Sequence, residues 1–182
     1  ETSDRLKPQV EAWLGEMSPG VRINIVQNLD ANLVNLRYEF RSKDGFSKPY
    51  RATNVGFGLT YTLSLLVAIL SSSPDTLLLI ENPEAHLHPK GQSYMGELFA
   101  RAASCGVQIV VETHSDHVLN GIRLAVHSGR IKPDDLRLHF FSRNQQFRHS
   151  DVISPQVDLD GRIAPWPEGF FDQAEKDLLE LL

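Results

Sequence analysis

Four of the chain's seven histidines and four of its acidic residues fall in two short loops. The first, Glu81-Asn82-Pro83-Glu84-Ala85-His86-Leu87-His88-Pro89, contributes Glu81, Glu84, His86 and His88; the second, Glu112-Thr113-His114-Ser115-Asp116-His117, contributes Glu112, His114, Asp116 and His117. Each loop follows a short hydrophobic run, Leu77 to Ile80 and Val107 to Val111. Two chemistries suit such a set. Nitrogen and oxygen ligands could gather a zinc ion or a two-metal hydrolytic centre, with His86-x-His88 as a ligand pair on an extended segment. Alternatively, a carboxylate at the end of a rigid strand can hold Mg²⁺ and its waters beside a phosphate, while an imidazole on the neighbouring strand reaches the same phosphate.

The elements that must position these loops are legible in the hydrophobic pattern. Thr76 to Ile80 and Val107 to Val111 read as strands covered on both faces. Lys90 to Ala103 reads as a helix between them, and Asp116 to His127 as a helix with Ser115 at its N-cap. Leu136 to Phe141 alternates as a third strand. This βαβαβ rhythm predicts a parallel sheet with flanking helices, whose sites gather at the carboxyl ends of the strands. Upstream, Asp4 to Met17 has apolar residues at helical spacing, and Val21 to Val26 and Leu33 to Phe40 read as strands with a turn at Lys43-Asp44-Gly45. Leu59 to Leu70 is apolar nearly all round and predicts a buried helix; Asn54-Val55-Gly56-Phe57-Gly58 opens it with backbone N–H groups free to meet an anion. After Val152 to Leu159, a strand-like stretch, and a turn at Asp160-Gly161, the chain ends in a helix from Phe170 to Leu182.

A hydrophobic strand ending in a carboxylate is the Walker B arrangement of P-loop NTPases. Taken with the glycine turn, the His86-containing loop and His114, it resembles the C-terminal half of an ABC-type ATPase head of the SMC-like and OLD-like AAA group, over Asn54 to Leu182. The resemblance implies that Gly56 and Gly58 form a degenerate signature loop, that Glu81 is the Walker B acid holding Mg²⁺, and that Asn82 stands where a catalytic carboxylate usually follows. Ala85 to His88, including His86 and His88, would be the D-loop and His114 the switch histidine. The segment Trp166-Pro167-Glu168-Gly169-Phe170-Phe171-Asp172-Gln173 resembles the C-terminal module called domain of unknown function 3696. The implied activity is ATP binding and hydrolysis with Mg²⁺, in a head that dimerises around ATP. Phage defence or DNA work, with DNA or a nuclease as effector, would be its setting.

Two departures qualify the hydrolytic part. Asn82 is neutral and can orient a water but cannot take its proton, which leaves Glu84 or Glu112 as the base. The G-x-x-x-x-G spacing at Gly91 to Gly96 is followed by Glu97-Leu98 where a phosphate-binding loop needs Lys and Ser or Thr. The chain is therefore expected to be the C-terminal part of a longer ATPase whose N-terminal portion carries Walker A, an expectation in keeping with its start at Glu1 rather than Met. A catalytically silent assembly module is the third reading.

The expected architecture is an N-terminal helix and antiparallel strands over residues 1–53, an ATPase lobe over 54–142 and a C-terminal module over 143–182. Composition frames these readings. In 182 residues, 18 basic against 23 acidic side chains give a net charge of −5, which argues against a dedicated non-specific nucleic-acid binder. Ser71 to Asp75 interrupts the most apolar run, so no membrane span is expected. A single cysteine, Cys105, points to a reducing, cytoplasmic setting.

Overall fold

The computed structural model describes residues 5–144 and 149–182. Helix α1 (Leu6–Met17) turns Val10 and Leu14 inward; Asp4, the expected first residue of this helix, lies outside the described residues. Pro8 sits in the first turn, where its missing N–H removes no helical bond. An antiparallel hairpin follows, β1 (Val21–Asn28) and β2 (Leu33–Ser42), in register from Val21↔Phe40 to Asn28↔Leu33. The Lys43-Asp44 turn returns the chain as β3 (Gly45–Phe46) and β4 (Tyr50–Arg51), both paired to β2.

Helix α2 (Phe57–Leu70) buries Thr62, Leu63, Leu66 and Ile69. Its other side, with Phe57, Ser64, Val67 and Ala68, is exposed, so this helix is covered on one side rather than all round. Strands β5 (Leu77–Glu81) and β6 (Gln108–Glu112) are parallel, in register from Leu77↔Gln108 to Glu81↔Glu112, and α3 (Pro89–Ser104) connects them. Helix α4 (Asp116–His127) leaves β6 and packs on α3. The two helices approach closely enough that a Cβ at Gly96 would stand 2.2 Å from the Val118 carbonyl oxygen, and one at Gly121 2.1 Å from that of Ser93.

One core joins α1, β1 and β2 through Val10, Leu14, Val21, Ile23 and Tyr38 to Leu66, Ile80, Met95, Leu98 and Val118 of the later elements. Leu78, Ile80, Ile109 and Val111 pack toward it. Successive strand side chains alternate faces, and the opposite face of the β5–β6 pair is open: Leu77 is 53%, Leu79 74% and Val110 52% exposed. The expectation that both strands are covered on both faces fails here because every helix that packs on them lies on the other side.

The third parallel strand expected at Leu136 to Phe141 is also absent. Leu136 packs beside Ala100, Ala125, Val126 and Ile131, and Leu138 beside Leu119, Ile163 and Phe170. The next strand, β7 (Phe140–Asn144), pairs antiparallel with β8 (His149–Ile153), not with β6. The chain then forms a short ladder, β9 (Gln156–Val157) with β10 (Ile163–Ala164), and ends in α5 (Gln173–Glu180). Phe170 stacks edge-on against Phe140 and Phe171, with ring centroids 5.4 and 4.8 Å away. Arg123 ties this region to α4, donating to the Gly161 carbonyl at 2.7 Å while its guanidinium lies over Trp166. No helix among the described residues is long and apolar enough to cross a membrane.

Candidate functional site

Alternation along β5 places Glu81 on the same open face as Leu77 and Leu79, and alternation along β6 places Glu112 with Val110. The two carboxylates are register partners at the carboxyl ends of parallel strands. Glu112 engages His114, with Oε1 and Nε2 3.1 Å apart and both side chains exposed. A hard oxygen pair of this kind suits Mg²⁺, which takes one or two carboxylates and keeps most of its waters. Among the described residues, no group of three His, Cys, Asp or Glu side chains converges to hold a metal by itself, as a zinc centre would require.

The chain leaves β5 through two non-glycine residues with positive φ, Asn82 at +48° and His86 at +62°. Such backbone persists only where its surroundings hold it, and they do. The Asn82 N–H donates to the Glu112 carbonyl at 3.0 Å, extending the parallel ladder by one bond. Tyr61, from α2, sets its hydroxyl 2.9 Å from the Glu81 carbonyl oxygen and 3.1 Å from that of Asn82. Pro83, next along the chain, is fully buried.

Glu84 turns its carboxylate onto the second loop. Oε2 accepts the Thr113 hydroxyl at 2.6 Å, and Oε1 accepts the His114 backbone N–H at 2.8 Å. The loop carrying His114 is thus held through its backbone, and the imidazole stays exposed. His88 caps α3, its Nδ1 facing the Lys90 N–H at 3.4 Å.

The two glycines differ in surroundings. Gly56 precedes α2 with open space at its Cβ position. Gly58, in the first turn, lies against the His86 loop: a Cβ there would be 2.6 Å from the His86 carbonyl oxygen. The Phe57 ring meets the His86 ring edge to face, with centroids 4.9 Å apart. The structure therefore joins Gly58 to the His86 loop, Asn82 to Glu112, and Glu84 to the backbone of His114. Gly56 has open space around its Cβ position, and the polar contact of His88 is with its own helix, α3.

Three participants escaped the sequence reading: Tyr61, Thr113 and Gln92. Gln92 joins the loops, its amide nitrogen donating to the Leu87 carbonyl at 2.8 Å while its oxygen accepts the Ser115 hydroxyl at 2.6 Å. Its only sequence signal is a polar residue one turn into the helix that follows β5, matching the polar cap Ser115 at the start of the helix that follows β6.

The fold is thus a parallel strand pair with helices packed on one face and carboxylates at the strand ends. Solved SMC structures share it. A chain from "Structural biochemistry of ATP-driven dimerization and DNA stimulated activation of SMC ATPases" aligns with TM-score 0.59 and 15% identity, over 99% of this chain and 92% of that one. An Smc head bound to the C-winged helix domain of ScpA aligns with TM-score 0.59 and 14% identity, over 84% of this chain and 42% of that one. The Smc head from Pyrococcus furiosus, with an extended coiled coil, aligns with TM-score 0.56 and 15% identity, over 97% and 37%. The chain spans less than half of these last two structures.

The chain belongs to the family described as "AAA domain, putative AbiEii toxin, Type IV TA system", whose model matches residues 13–120. Residues 131–181 match "Protein of unknown function (DUF3696)". The first match begins within α1, earlier than the Asn54 at which the resemblance starts in sequence, in keeping with the single core that joins α1 and the hairpin to the sheet. No curated protein matches the chain.

Proposed function

We propose that this chain is the Walker B half of an ABC-type ATPase head and hydrolyses ATP once a portion carrying Walker A covers its open sheet face. The observation that carries the reading is the sharing of one face by Glu81, Glu112 and the uncovered Leu77, Leu79 and Val110. A lobe that buries those apolar side chains brings its phosphate-binding loop to the carboxylates.

In this reading Glu81 holds Mg²⁺ through water, with Glu112 beside it; the ion supplies neutralisation of phosphate charge. Asn82, on its constrained backbone, orients the attacking water. Glu84 fixes the loop that presents His114 to the γ-phosphate, and with both carboxylate oxygens engaged it serves as a clamp rather than a base. Glu112, exposed and adjacent, is the better proton acceptor. Gly56, Gly58, His86 and His88 line the edge that meets a second head across a sandwiched ATP. The ATP-driven dimerisation of SMC ATPases supports that arrangement. The units 1–53, 54–142 and 143–182 serve as buttress, catalytic half and attached module. With a net charge of −5 on this chain, contact with DNA falls to the Walker A portion.

The test is Glu81→Gln in a preparation that includes the Walker A portion. Turnover should fall at least about a hundredfold while ATP binding persists; unchanged turnover would refute the assignment of Glu81.

A further inference from the structure

The hydrogen bonds around Gln92 close into a ring. The Leu87 N–H donates to the Glu84 carbonyl at 3.0 Å, and the Glu84 carboxylate accepts the Thr113 hydroxyl. Thr113 Oγ1 accepts the Ser115 N–H at 3.1 Å, the Ser115 hydroxyl donates to Gln92 Oε1, and Gln92 Nε2 donates back to Leu87. Every hydrogen in the ring has one direction. The single Thr113 proton goes to Glu84 and the single Ser115 proton to Gln92, while Ser115 Oγ also accepts the Val118 N–H at 3.1 Å as the cap of α4. A carbonyl oxygen can only accept, so Leu87 requires the amide nitrogen of Gln92 and Ser115 receives the oxygen. The ring is partly buried, and breaking one member leaves polar partners poorly satisfied.

We infer that Gln92 is a positioning residue that locks the His86 loop and the His114 loop into one unit, so that a displacement at Phe57, Gly58 and His86 is transmitted to the backbone of His114. The inference rests on the nucleotide reading for its purpose, but the lock itself is a property of this chain. Gln92 hydrogen-bonds to neither His86 nor His114. It acts through Leu87 on one side and Ser115 on the other, and the Gly58 to His86 contact supplies the input end.

Amide hydrogen exchange on the 182-residue chain separates this role from simple packing. Gln92→Leu should speed exchange about five- to tenfold at Leu87, His114 and Ser115 together, the size expected for about one hydrogen bond. Core amides such as Leu98 in α3 should keep their protection. Gln92→Glu preserves the acceptor for Ser115 and removes the donor to Leu87, so it should speed Leu87 as much as Gln92→Leu does and His114 by less. Acceleration confined to Leu87, or equal acceleration of loop and core amides, would overturn the lock. In the preparation containing the Walker A portion, Gln92→Leu should lower kcat about tenfold with the KM for ATP within twofold; a raised KM at constant kcat would overturn the positioning role. Absence of turnover in the wild-type protein would count against the nucleotide reading alone, because the exchange pattern decides the lock independently.

Discussion

Gly58→Ala, compared with Gly56→Ala, tests whether the turn before α2 is built around the His86 loop. At Gly58 an added Cβ would sit 2.6 Å from the His86 carbonyl oxygen, 3.3 Å from the His86 Cβ and 3.4 Å from its carbonyl carbon. Ordinary contact begins near 3.4 Å, so the carbonyl must retreat by about 0.8 Å. It has little freedom to do so: the next carbonyl, Leu87, is held by Gln92, and that of His88 accepts the Gln92 N–H at 3.1 Å. Overpacking against a constrained backbone costs about 1–3 kcal/mol. Alanine returns part of its roughly 1 kcal/mol advantage in helix propensity, reduced in the first turn. The net loss expected is about 1–2 kcal/mol, or a Tm lower by about 2–8 °C for a chain of this length. At Gly56, the N-cap of α2 with nothing within 4 Å, alanine meets no clash; restricting the unfolded chain favours it by about 0.4–1 kcal/mol, its poor N-cap preference offsets that, and the net change should stay within about 0.5 kcal/mol. Urea denaturation with unchanged m-values measures both. The His86 ring resonances should also shift in Gly58→Ala, because its edge-to-face contact with Phe57 is disturbed. Equal stability of the two variants, with an unmoved His86 signal, would refute the close-approach argument.

Three further outcomes are expected. Leu79→Lys, on the open face, should change the unfolding free energy by no more than about 0.5 kcal/mol yet prevent capture of the Walker A portion in a pull-down; undiminished capture would place that interface elsewhere. Arg123→Ala removes the bond to Gly161 and the cation–π contact with Trp166, so limited proteolysis should cut residues 158–172 faster while α3 stays protected, and an unchanged cleavage rate would show that the aromatic cluster alone holds the module. The Lys176 ammonium and the Gly169 N–H hold the Asp172 carboxyl below the usual carboxylate range. Its contribution at the start of α5 is therefore complete above its unfolded pKa near 3.9 and fades as pH falls through the lower folded value. Asp172→Asn should flatten the acid limb of a circular-dichroism titration of helix content, and an identical acid limb would dismiss that role.

What the sequence conveyed well was order along the chain. Glu81, Glu84, His114 and the cap Ser115 lie at the ends of β5 and β6 because the hydrophobic runs before them form parallel strands, and Ser115 accepts the Val118 N–H as an N-cap should. Partners were not legible. Leu77, Leu79 and Val110 read as buried because residue type records a preference for burial, not whether the covering element belongs to the same chain. Leu136 and Leu138 alternate as a strand would, but period two specifies an extended backbone and leaves open whether a ladder exists. Here both side chains wedge against α3, α4 and the C-terminal aromatics instead. Glu84 was visible as an acid, but its role as a clamp depends on Thr113 and His114, thirty residues away in sequence and brought near by strand pairing.

The C-terminal module cannot be the element that covers the open face. Its aromatic cluster and Arg123 tie it to α4, and Leu77, Leu79 and Val110 remain exposed with the module in place. A two-stranded parallel sheet with one bare face is a poor end state, since parallel strands are ordinarily covered on both sides. Whatever covers it must satisfy two demands at once: apolar contact along Leu77, Leu79 and Val110, and compensation for the carboxylates of Glu81 and Glu112 at the strand ends. A purely hydrophobic partner meets the first and leaves the acids desolvated without a counterion, at a cost that grows as the interface becomes drier. A lobe that presents a basic phosphate-binding loop, with Mg²⁺ and nucleotide between it and the acids, meets both. Closure should therefore tighten with ATP and Mg²⁺ and weaken when they are withdrawn, and in Glu81→Gln closure without nucleotide should become easier. If nucleotide-free association is instead equally tight in wild type and Glu81→Gln, the carboxylates do not face the covering lobe.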